Sequence, residues 1–253
     1  MDISPRHGRI LALVAEEGTI GVVELAQRLD VSVETVRRDI KALAGRGDIM
    51  RMHGVIGLPS AVSEAPFERR MRENREAKEA IAQLAASTIR DGDSIILDTG
   101  TTTSILARAL LGHRRLTVVT NSSDIARTLA TINGNKVYMA GGELRSDSGA
   151  ALGYSAIEFV NRFSVDHAII SAGAVNAASG VMDYDLEEAQ FGQAVLARGR
   201  RRVVVTAASK FGQKGLVRVC SLADFHEMIV NRRPPEDLAQ ALQDAEVTVK
   251  LCG

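Results

Sequence analysis

The chain has 253 residues, of which 45% are hydrophobic and 25% are charged, a mixture that is typical of globular proteins and excludes a mainly disordered chain. Lys plus Arg and Asp plus Glu each number 31, which excludes a strongly basic protein that coats nucleic acid indiscriminately but leaves room for a local basic face. Aromatic residues make up 4% and Trp is absent. The core must therefore consist of Ala, Val, Ile and Leu, as is typical of helices that cover a parallel sheet.

Membrane and secretion signals are missing from the sequence. No apolar run approaches the ~18 residues that a membrane span needs, and the charged N-terminus lacks the small-residue cleavage site of a signal peptide. Cys220 and Cys252 form neither a disulfide framework nor a metal motif. His113, His167 and His226 have no clustered partner at metal-ligand spacing. We therefore expect a cytoplasmic protein without a metal, a cofactor or a membrane partner.

Three short helices are predicted at the N-terminus. Ser4 is placed to cap the first helix, which begins at Pro5 and ends at Gly18. A second helix runs roughly over 22–29, and Ser32 is placed to cap a third. The third helix has an apolar stripe at helical spacing that consists of Val33, Val36, Ile40 and Leu43.

A hairpin and a linker follow these helices. Residues 49–52 and 55–58 read as two short strands around the turn His53-Gly54. Two prolines and several small residues then interrupt every pattern over 59–66, which indicates a linker. The predicted organisation is therefore a small domain over 1–58, a linker over 59–66 and a larger domain over 67–253.

The larger domain begins with a polar helix, predicted over about 67–89, after which strands and helices alternate. The predicted strands share β-branched apolar runs and lie at 94–98, 116–120, 136–140, 167–172 and 202–207. Short buried strands that alternate with helices imply a parallel sheet covered on both faces, a Rossmann-like α/β architecture. In such folds, ligands bind where the strands end and loops lead into helices.

The second and third helices have the spacing of a helix-turn-helix, in which the second of the pair enters the major groove of DNA. The outward face of this helix carries Arg37, Arg38 and Lys41, which can pair with phosphates or guanine edges. Hydroxyls at the helix start and cations in the hairpin add the candidate contacts Ser32, Thr35, Arg51 and His53. The alternative is an ordinary three-helix bundle with a solvated face, because residues 1–60 hold eight basic and eight acidic residues.

Residues 22–54 resemble the N-terminal winged helix of the DeoR family of bacterial transcriptional regulators. The resemblance covers the motifs E-L-A, V-S, T-V-R-R-D and R-x-H-G. Gly21 and Val55 stand where the family usually has a hydroxyl residue and a second glycine. The resemblance implies that the chain binds double-stranded operator DNA.

Three loops that follow predicted strands carry small and polar residues. DTGTTT (98–103) precedes a helix, and its backbone N–H groups and hydroxyls can surround a phosphate at that helix N-terminus. The other loops are TNS (120–122) and GGELR (141–145), at equivalent strand ends. The candidate ligand residues in the three loops are Asp98, Gly100, Thr101, Thr102, Thr103, Asn121, Gly142, Glu143 and Arg145.

Lys78, Arg145 and Lys210 are the candidate cations that neutralise the bound phosphate. The alternatives are structural: a Gly/Thr-rich loop after a strand can be simply a tight turn, and a lysine before Phe211-Gly212 can be a solvated loop residue. Asp183, Asp185, Glu187 and Glu188 precede or begin a helix, where acidic residues complement the helix dipole. In the functional interpretation, Asp183 or Glu187 binds ligand hydroxyls or is the relic of an enzyme's base.

Most of residues 67–250 resembles the effector domain of the same family, which is similar to sugar-phosphate isomerases and senses phosphorylated metabolites. The matching motifs are D-T-G-T-T-T, V-V-T-N-S, A-G-G-E-L-R and S-K-F-G. The stretch 141–146 and the pair Asp183-Tyr184 resemble members that control glycerol metabolism. The resemblance implies glycerol 3-phosphate or a sugar phosphate as the ligand. Ala207 and Asn231 stand where the family usually has Asp.

The leading hypothesis is a DNA-binding transcriptional repressor, not an enzyme, that a small phosphorylated metabolite releases from its operator. Paired operator half-sites would require a homodimer or homotetramer. One alternative is a sugar-phosphate isomerase or deaminase in which Asp98, Glu187 and Lys210 supply acid–base chemistry. The other is a transcriptional activator of the same architecture, since the sign of regulation depends on where the operator lies.

Overall fold

The computed structural model describes residues 4–17, 19–52, 55–57 and 64–252. The chain divides into two compact units, Met1–Arg69 and Arg70–Gly253. Most of the expected linker, residues 59–63, lies outside the described residues, so its bounds at 59 and 66 stay a prediction.

Residues 4–57 of the first unit, where they are described, form three helices and a small antiparallel sheet. The helices are α1 (Pro5–Glu17), α2 (Val22–Leu29) and α3 (Val33–Gly45). The strands are β1 (Thr19–Gly21), β2 (Met50–Met52) and β3 (Val55–Gly57), in the order β1-β3-β2. The predicted helices and hairpin are confirmed, whereas β1 was not predicted, because three residues between two helices give no readable alternation.

Local capping explains where the helices of the first unit begin. The Ser4 hydroxyl accepts the His7 N–H at 3.2 Å, and the Ser32 hydroxyl accepts the Thr35 N–H at 3.2 Å. Gly21 precedes α2 without a side-chain cap. The apolar stripes of the helices then meet in one core that includes Ile10, Val14, Leu25, Val36, Ile40, Leu43 and Ile56.

The second unit is built on a seven-stranded sheet. Its strands are β4 (Ser94–Leu97), β5 (Thr117–Thr120), β6 (Lys136–Met139), β7 (Val165–Ser171), β10 (Gly199–Thr206), β12 (Glu227–Val230) and β13 (Thr248–Leu251). The order is β13-β12-β10-β7-β4-β5-β6, and every neighbouring pair is parallel. The predicted parallel α/β sheet is confirmed. Because the chain reverses its direction of travel across the sheet between β4 and β7, the ends of these two strands form the topological switch point.

Successive residues of the central strands enter different apolar clusters, as expected for a sheet buried on both faces. Ile95 and Leu97 belong to one cluster and Ile96 to the other. On the first face lie α5 (Arg75–Ala86), α6 (Thr101–Ala109) and α7 (Ser123–Leu129); on the second lie α8 (Tyr154–Val160), α9 (Leu186–Leu196) and α10 (Glu236–Asp244).

The single helix predicted over 67–89 is wrong. The segment forms α4 (Phe67–Arg72) and α5, separated by Asn74, which has a left-handed backbone at φ 52°. Asn tolerates that conformation better than most residues with a side chain, and its charged neighbours give no other signal of a break. The final helical turn of the segment ends at Ala86, before residues 87–89.

Three further strands, β8 (Ala174–Asn176), β9 (Gly180–Asp183) and β11 (Val217–Cys220), form a small antiparallel sheet that was not predicted. In the chain, β8 and β9 lie between β7 and α9, and β11 follows β10. Within the described ranges, no helix is long and apolar enough to cross a membrane.

Candidate DNA-binding face and effector site

Helix α3 presents the predicted cationic face to solvent. Arg37, Arg38 and Lys41 are exposed, whereas Val36, Ile40 and Leu43 on the opposite side are buried in the core. The Arg37 guanidinium lies 3.8 Å from the carboxylate of Glu34 one turn earlier. A surface pair of this kind contributes little stability, so replacing this carboxylate by a DNA phosphate would cost little.

The polar residues at the start of α3 are engaged in capping. The Ser32 and Thr35 hydroxyls lie 2.8 Å apart, in addition to the bond from the Thr35 N–H to Ser32. Both side chains therefore stand at the positive end of the helix dipole, where a DNA phosphate is favoured. Arg51 lies in β2 by its backbone, and His53 falls outside the described residues, so the wing contacts stay a prediction.

Asp39, which follows the two arginines of α3, has a structural role that sequence reasoning missed. The residue is 8% exposed, and its carboxylate accepts hydrogen bonds from Arg6 Nε at 2.6 Å and Arg6 Nη2 at 3.1 Å. His7 Nε2 lies 3.3 Å from the same carboxylate. The Arg6 guanidinium beside it holds the pKa of Asp39 below its usual value. These contacts join α1 to the buried side of α3.

The predicted effector cradle lies at the switch point of the large sheet. Asp98 follows β4, and its two carboxylate oxygens accept the Ser171 N–H from the end of β7 at 3.2 and 3.1 Å. The loop then turns at Gly100 into α6, whose first three residues are buried threonines. The first N–H groups of a helix have no partner within it, so the cradle offers several donors at the positive end of the helix dipole.

Gly100 has a steric explanation in its packing against β7. Its φ of 171° is extended backbone, which any residue can adopt. A Cβ there would lie 2.0 Å from Ser171 Oγ and 3.0 Å from Ser171 Cβ. The space beside the glycine is therefore filled by the side chain of a residue at the end of β7, and the assignment of Gly100 to the effector site stays a prediction.

Two buried polar atoms in the cradle have no hydrogen-bond partner among the described residues, namely Thr99 Oγ1 and Asn121 Oδ1. Asn121 uses its amide nitrogen to donate to the Ala151 carbonyl at 3.0 Å, which fixes its orientation. Thr103, by contrast, donates its hydroxyl to the backbone carbonyls of Asp98 and Gly100 at 2.9 and 3.1 Å. Because unsatisfied buried polar atoms are rare, Thr99 and Asn121 mark the part of the cradle where a polar ligand is most needed.

Lys78 and Lys210 lie on segments that meet beside the end of β10. Asn74 Nδ2, at the start of α5, donates to Ser209 Oγ at 3.2 Å, next to Lys210. One turn later in α5, Lys78 is buried and donates from Nζ to the Arg70 carbonyl. The structure thus brings the two segments together.

Arg145, the third predicted cation, is paired with carboxylates at the start of α9. Its guanidinium lies 3.1 Å from Asp185 and 2.6 Å from Glu187. Asp185 also caps α9 by accepting the N–H groups of Glu187 and Glu188 at 2.9 and 3.1 Å. The helix-capping interpretation of the acidic cluster therefore accounts for Asp185, and Arg145 carries two negative neighbours before any ligand arrives.

Asp183 and Glu188 act on the cradle through their charge. Burial raises the pKa of Asp98 well above its usual value, and the negative charges of Glu188 and Asp183 raise it further. Asp183 Oδ1 accepts the N–H groups of Tyr184 and Asp185 at 2.6 and 3.2 Å, which fixes its orientation. Asp183 and Glu188 therefore act on the end of β4 through their negative charge.

The GGELR loop reaches the same region. Gly142 has φ 148°, a conformation that favours glycine, and a Cβ there would lie 3.2 Å from Ser155 Oγ. Glu143 is exposed. The loop is held by a backbone bond from the Arg145 N–H to the Ala150 carbonyl at 2.9 Å.

Ala207 and Asn231, which stand where the family usually has Asp, lie close together in the structure. Ala207 is buried in the apolar cluster that also contains Ile229, where a carboxylate would lose its hydration. Asn231 Oδ1 accepts the Ala208 N–H at 2.8 Å, so the amide still fixes the loop that leads to Lys210. Among the residues described, no group of three His, Cys, Asp or Glu side chains could hold a metal ion.

Comparison with known proteins assigns both units to one family. Residues 6–62 match the DeoR-like helix-turn-helix domain and residues 73–232 match the DeoR C terminal sensor domain. The chain is 37% identical over 248 residues to the HTH-type transcriptional repressor CsqR of Escherichia coli, covering 98% of this chain and 95% of that protein. It is 32% identical over 252 residues to the glycerol-3-phosphate regulon repressor of E. coli, covering 100% of both. A solved ribose 5-phosphate isomerase A from Methanocaldococcus jannaschii superposes with a TM-score of 0.42 and 18% identity, covering 56% of each chain.

Proposed function

The chain belongs to the DeoR family of transcriptional repressors, and on that premise we propose that glycerol 3-phosphate binds its sensor unit and releases it from its operator. It is a DNA-binding regulator and not an enzyme, as its relatives are named repressors. Its partners are operator DNA and a small-molecule effector. The identity of the effector, the contact residues and the oligomeric state belong to the proposal.

The exposed face of α3 supports the DNA half of the proposal. Arg37, Arg38 and Lys41 project from the side opposite the buried stripe, so the helix can enter a major groove without exposing its core. Salt-sensitive phosphate contacts would supply affinity, and bidentate contacts with guanine would supply specificity. A homodimer or homotetramer would place two such helices on paired half-sites.

The main observation that supports effector binding concerns two buried polar atoms, Thr99 Oγ1 and Asn121 Oδ1. Neither has a hydrogen-bond partner among the described residues. A phosphate at the start of α6 would accept the N–H groups of Thr101 and Thr102, and Thr99 would donate its hydroxyl. Asn121 Oδ1 can only accept a hydrogen bond, so it would receive one from a ligand hydroxyl. A small polyol phosphate offers both groups.

Glycerol 3-phosphate meets these requirements and also agrees with the name of a full-length relative. A full-length relative at 32% identity is named for the glycerol-3-phosphate regulon. Charge-assisted hydrogen bonds are roughly twice as strong as neutral ones, so the phosphate should be essential and glycerol should fail. Release from DNA requires that the ligand bind the DNA-free state more tightly than the DNA-bound state.

A titration of the DNA complex tests the proposal. The full chain is bound to a duplex that it has selected from random sequence, and the complex is titrated with glycerol 3-phosphate, glycerol, fructose 1-phosphate and ribose 5-phosphate. Release by glycerol 3-phosphate but not by glycerol is the expected result. Release by a sugar phosphate alone would overturn the ligand, and release by none of the four would overturn metabolite sensing by this route.

A pair of lysine variants tests the site. Lys210→Met should weaken effector binding by about tenfold or more, because one charge-assisted contact with the phosphate is lost. Lys214→Met removes an exposed lysine from the same loop region and should leave effector binding unchanged. Equal affinities of the two variants would remove Lys210 from the effector site.

A further inference from the structure

Arg69 of helix α4 contacts the turn that follows α3, the proposed recognition helix. Arg69 Nη1 donates to the Gly47 carbonyl at 2.7 Å and to Asp48 Oδ1 at 3.1 Å. The other Asp48 oxygen accepts from Nε of Arg46, the residue directly after α3, at 2.8 Å. Pro66 fills the space over Gly47, where a Cβ would lie 2.8 Å from Pro66 Cδ. The segment 66–69 therefore packs against the turn that directly follows the recognition helix.

This contact extends to the inner side of α3. Arg46 Nη2 lies 3.4 Å from His7 Nδ1, and His7 Nε2 lies 3.3 Å from Asp39 Oδ1. A chain of polar contacts thus runs from Arg69 through Asp48, Arg46 and His7 to Asp39, the residue next to Arg38. A change in the position of Arg69 has a defined polar route to the DNA-binding face.

The next residues of the same helix are held in the second unit. Lys78 Nζ donates to the Arg70 carbonyl, and the Met71 side chain packs against the apolar cluster on the α5 side of the large sheet. The second unit begins at Arg70, directly after Arg69, the last residue of the first. Two consecutive residues of α4 are therefore anchored in different units.

We propose that Arg69 is a coupling residue that transmits the state of the effector site to the recognition helix. Lys78 is both the donor that holds the Arg70 carbonyl and a candidate effector ligand. When Lys78 turns towards the effector, the hold on Arg70 loosens, α4 shifts and the Arg69 contacts with Gly47 and Asp48 break. The step from effector to Lys78 rests on the proposed function, whereas the coupling of Arg70 to Arg69 through α4 rests on the contacts alone.

The proposal satisfies the physical requirement for a switch, namely that one group has two alternative partners. A Lys ammonium has three donors but a single position, so a carbonyl and a phosphate that lie apart compete for it. The phosphate is the stronger acceptor because it is charged. Displacement of a short helix by a fraction of a turn is enough to break hydrogen bonds of 2.7 to 3.1 Å, since such bonds weaken steeply with distance and angle.

A double-mutant cycle on DNA affinity tests the coupling without any effector. Arg69→Ala and Lys78→Met should each weaken operator binding by about three- to tenfold, and the double variant should be no weaker than the worse single variant. Met has the length of the lysine stem, so it can fill the buried site. Independent effects, in which the two fold-changes multiply, would overturn the proposal, as would wild-type affinity in either single variant.

The matched control is Arg75→Ala, which removes an arginine from an exposed ion pair with Glu79 at the start of α5. It should bind the operator like the wild type and should combine multiplicatively with Lys78→Met. Circular dichroism of all variants distinguishes lost coupling from lost folding. Non-additivity of the control pair, equal to that of Arg69 and Lys78, would also overturn the proposal.

A second measurement addresses the response to effector. Arg69→Ala should bind glycerol 3-phosphate by calorimetry at least as tightly as the wild type, because binding no longer has to break the Arg69 contacts, yet the effector should no longer change its operator affinity. Wild-type release of DNA by this variant would refute the coupling role. If the wild type binds none of the four compounds, the proposed function fails, and the effector-independent cycle still decides the role of Arg69.

Discussion

Replacing Gly100 by Ala tests whether the effector cradle is fixed by packing against β7. The added Cβ would lie 2.0 Å from Ser171 Oγ, 3.0 Å from Ser171 Cβ and 3.1 Å from Thr103 Oγ1. The backbone at φ 171° and ψ 158° is open to alanine, so the expected cost comes from overlap and not from backbone strain. The Ser171 hydroxyl can rotate away, but its Cβ moves only if β7 or the loop moves.

The expected magnitude is that of an overpacked core site, about 1–3 kcal/mol of unfolding free energy. Because Thr103 bonds to the carbonyls of Asp98 and Gly100 on the same loop, relief of the overlap would also displace the start of α6. Gly100→Ala should therefore weaken effector binding in addition to lowering the melting temperature. The recognition helix has a separate core, so DNA binding without effector should persist.

Ser171→Gly provides the rescue, because it removes both Ser171 atoms that the new methyl group would meet. The double variant should recover most of the stability lost in Gly100→Ala, measured against the small cost of Ser171→Gly alone. Gly112→Ala is the control, since no atom lies within 4 Å of its added Cβ. Thermal unfolding and effector calorimetry of the five proteins decide the matter. If Gly100→Ala is as stable as Gly112→Ala, or if Ser171→Gly does not rescue it, the packing argument is refuted.

Three further predictions follow from single side chains. Arg38→Ala should reduce the salt slope of operator binding by about 0.9, whereas Arg127→Ala on the sensor surface should not; equal slopes would remove α3 from the groove. Asp39→Asn should cost stability above the unfolded-state pKa of Asp, and the difference in denaturant midpoint from wild type should vanish as pH falls through the lowered folded-state pKa; a difference independent of pH would contradict the ion pair. Burial raises the pKa of Asp98, so the stabilisation by protonated Asp98 is complete below the unfolded-state pKa and is lost as pH rises through the folded-state pKa. Asp98→Asn should therefore gain stability relative to wild type as pH rises. A stability difference that does not change with pH would exclude an ionisable Asp98 in the core.

The regular elements could be predicted because their patterns are local. Val36, Ile40 and Leu43 repeat at helical spacing, and SIIL and TVVT are β-branched runs of strand length. The same patterns imply which strand ends carry loops, so Asp98 and Asn121 could be placed at one edge of a sheet before any coordinates. Even Ser4 and Ser32 could be identified as caps, since capping depends on residues three positions apart.

The remaining features depend on partners distant in sequence. Asp39 looks like another exposed polar residue of α3, but Arg6 lies 33 positions away, and nothing local indicates that the carboxylate faces inward. Ser171 lies 71 residues after Gly100, so the steric reason for that glycine cannot be read from the loop. The left-handed backbone at Asn74 could not be predicted either, because the surrounding charged residues suit one continuous helix as well as two.

The charge distribution of the sensor unit bears on what kind of anion it can hold. Asp185 is accounted for by capping α9, but Asp183 and Glu188 also raise the pKa of Asp98, so their field reaches the cradle. Under the proposed function, these charges would repel a phosphate and would favour its placement at the N–H groups at the start of α6 and beside the lysines. The acidic side can still accept hydrogen bonds from neutral hydroxyls. A ligand with a phosphate at one end and hydroxyls at the other would match this charge distribution. Inorganic phosphate would make only the contacts with the N–H groups and lysines, and the second anionic group of a dicarboxylate or bisphosphate would be repelled by the acidic residues.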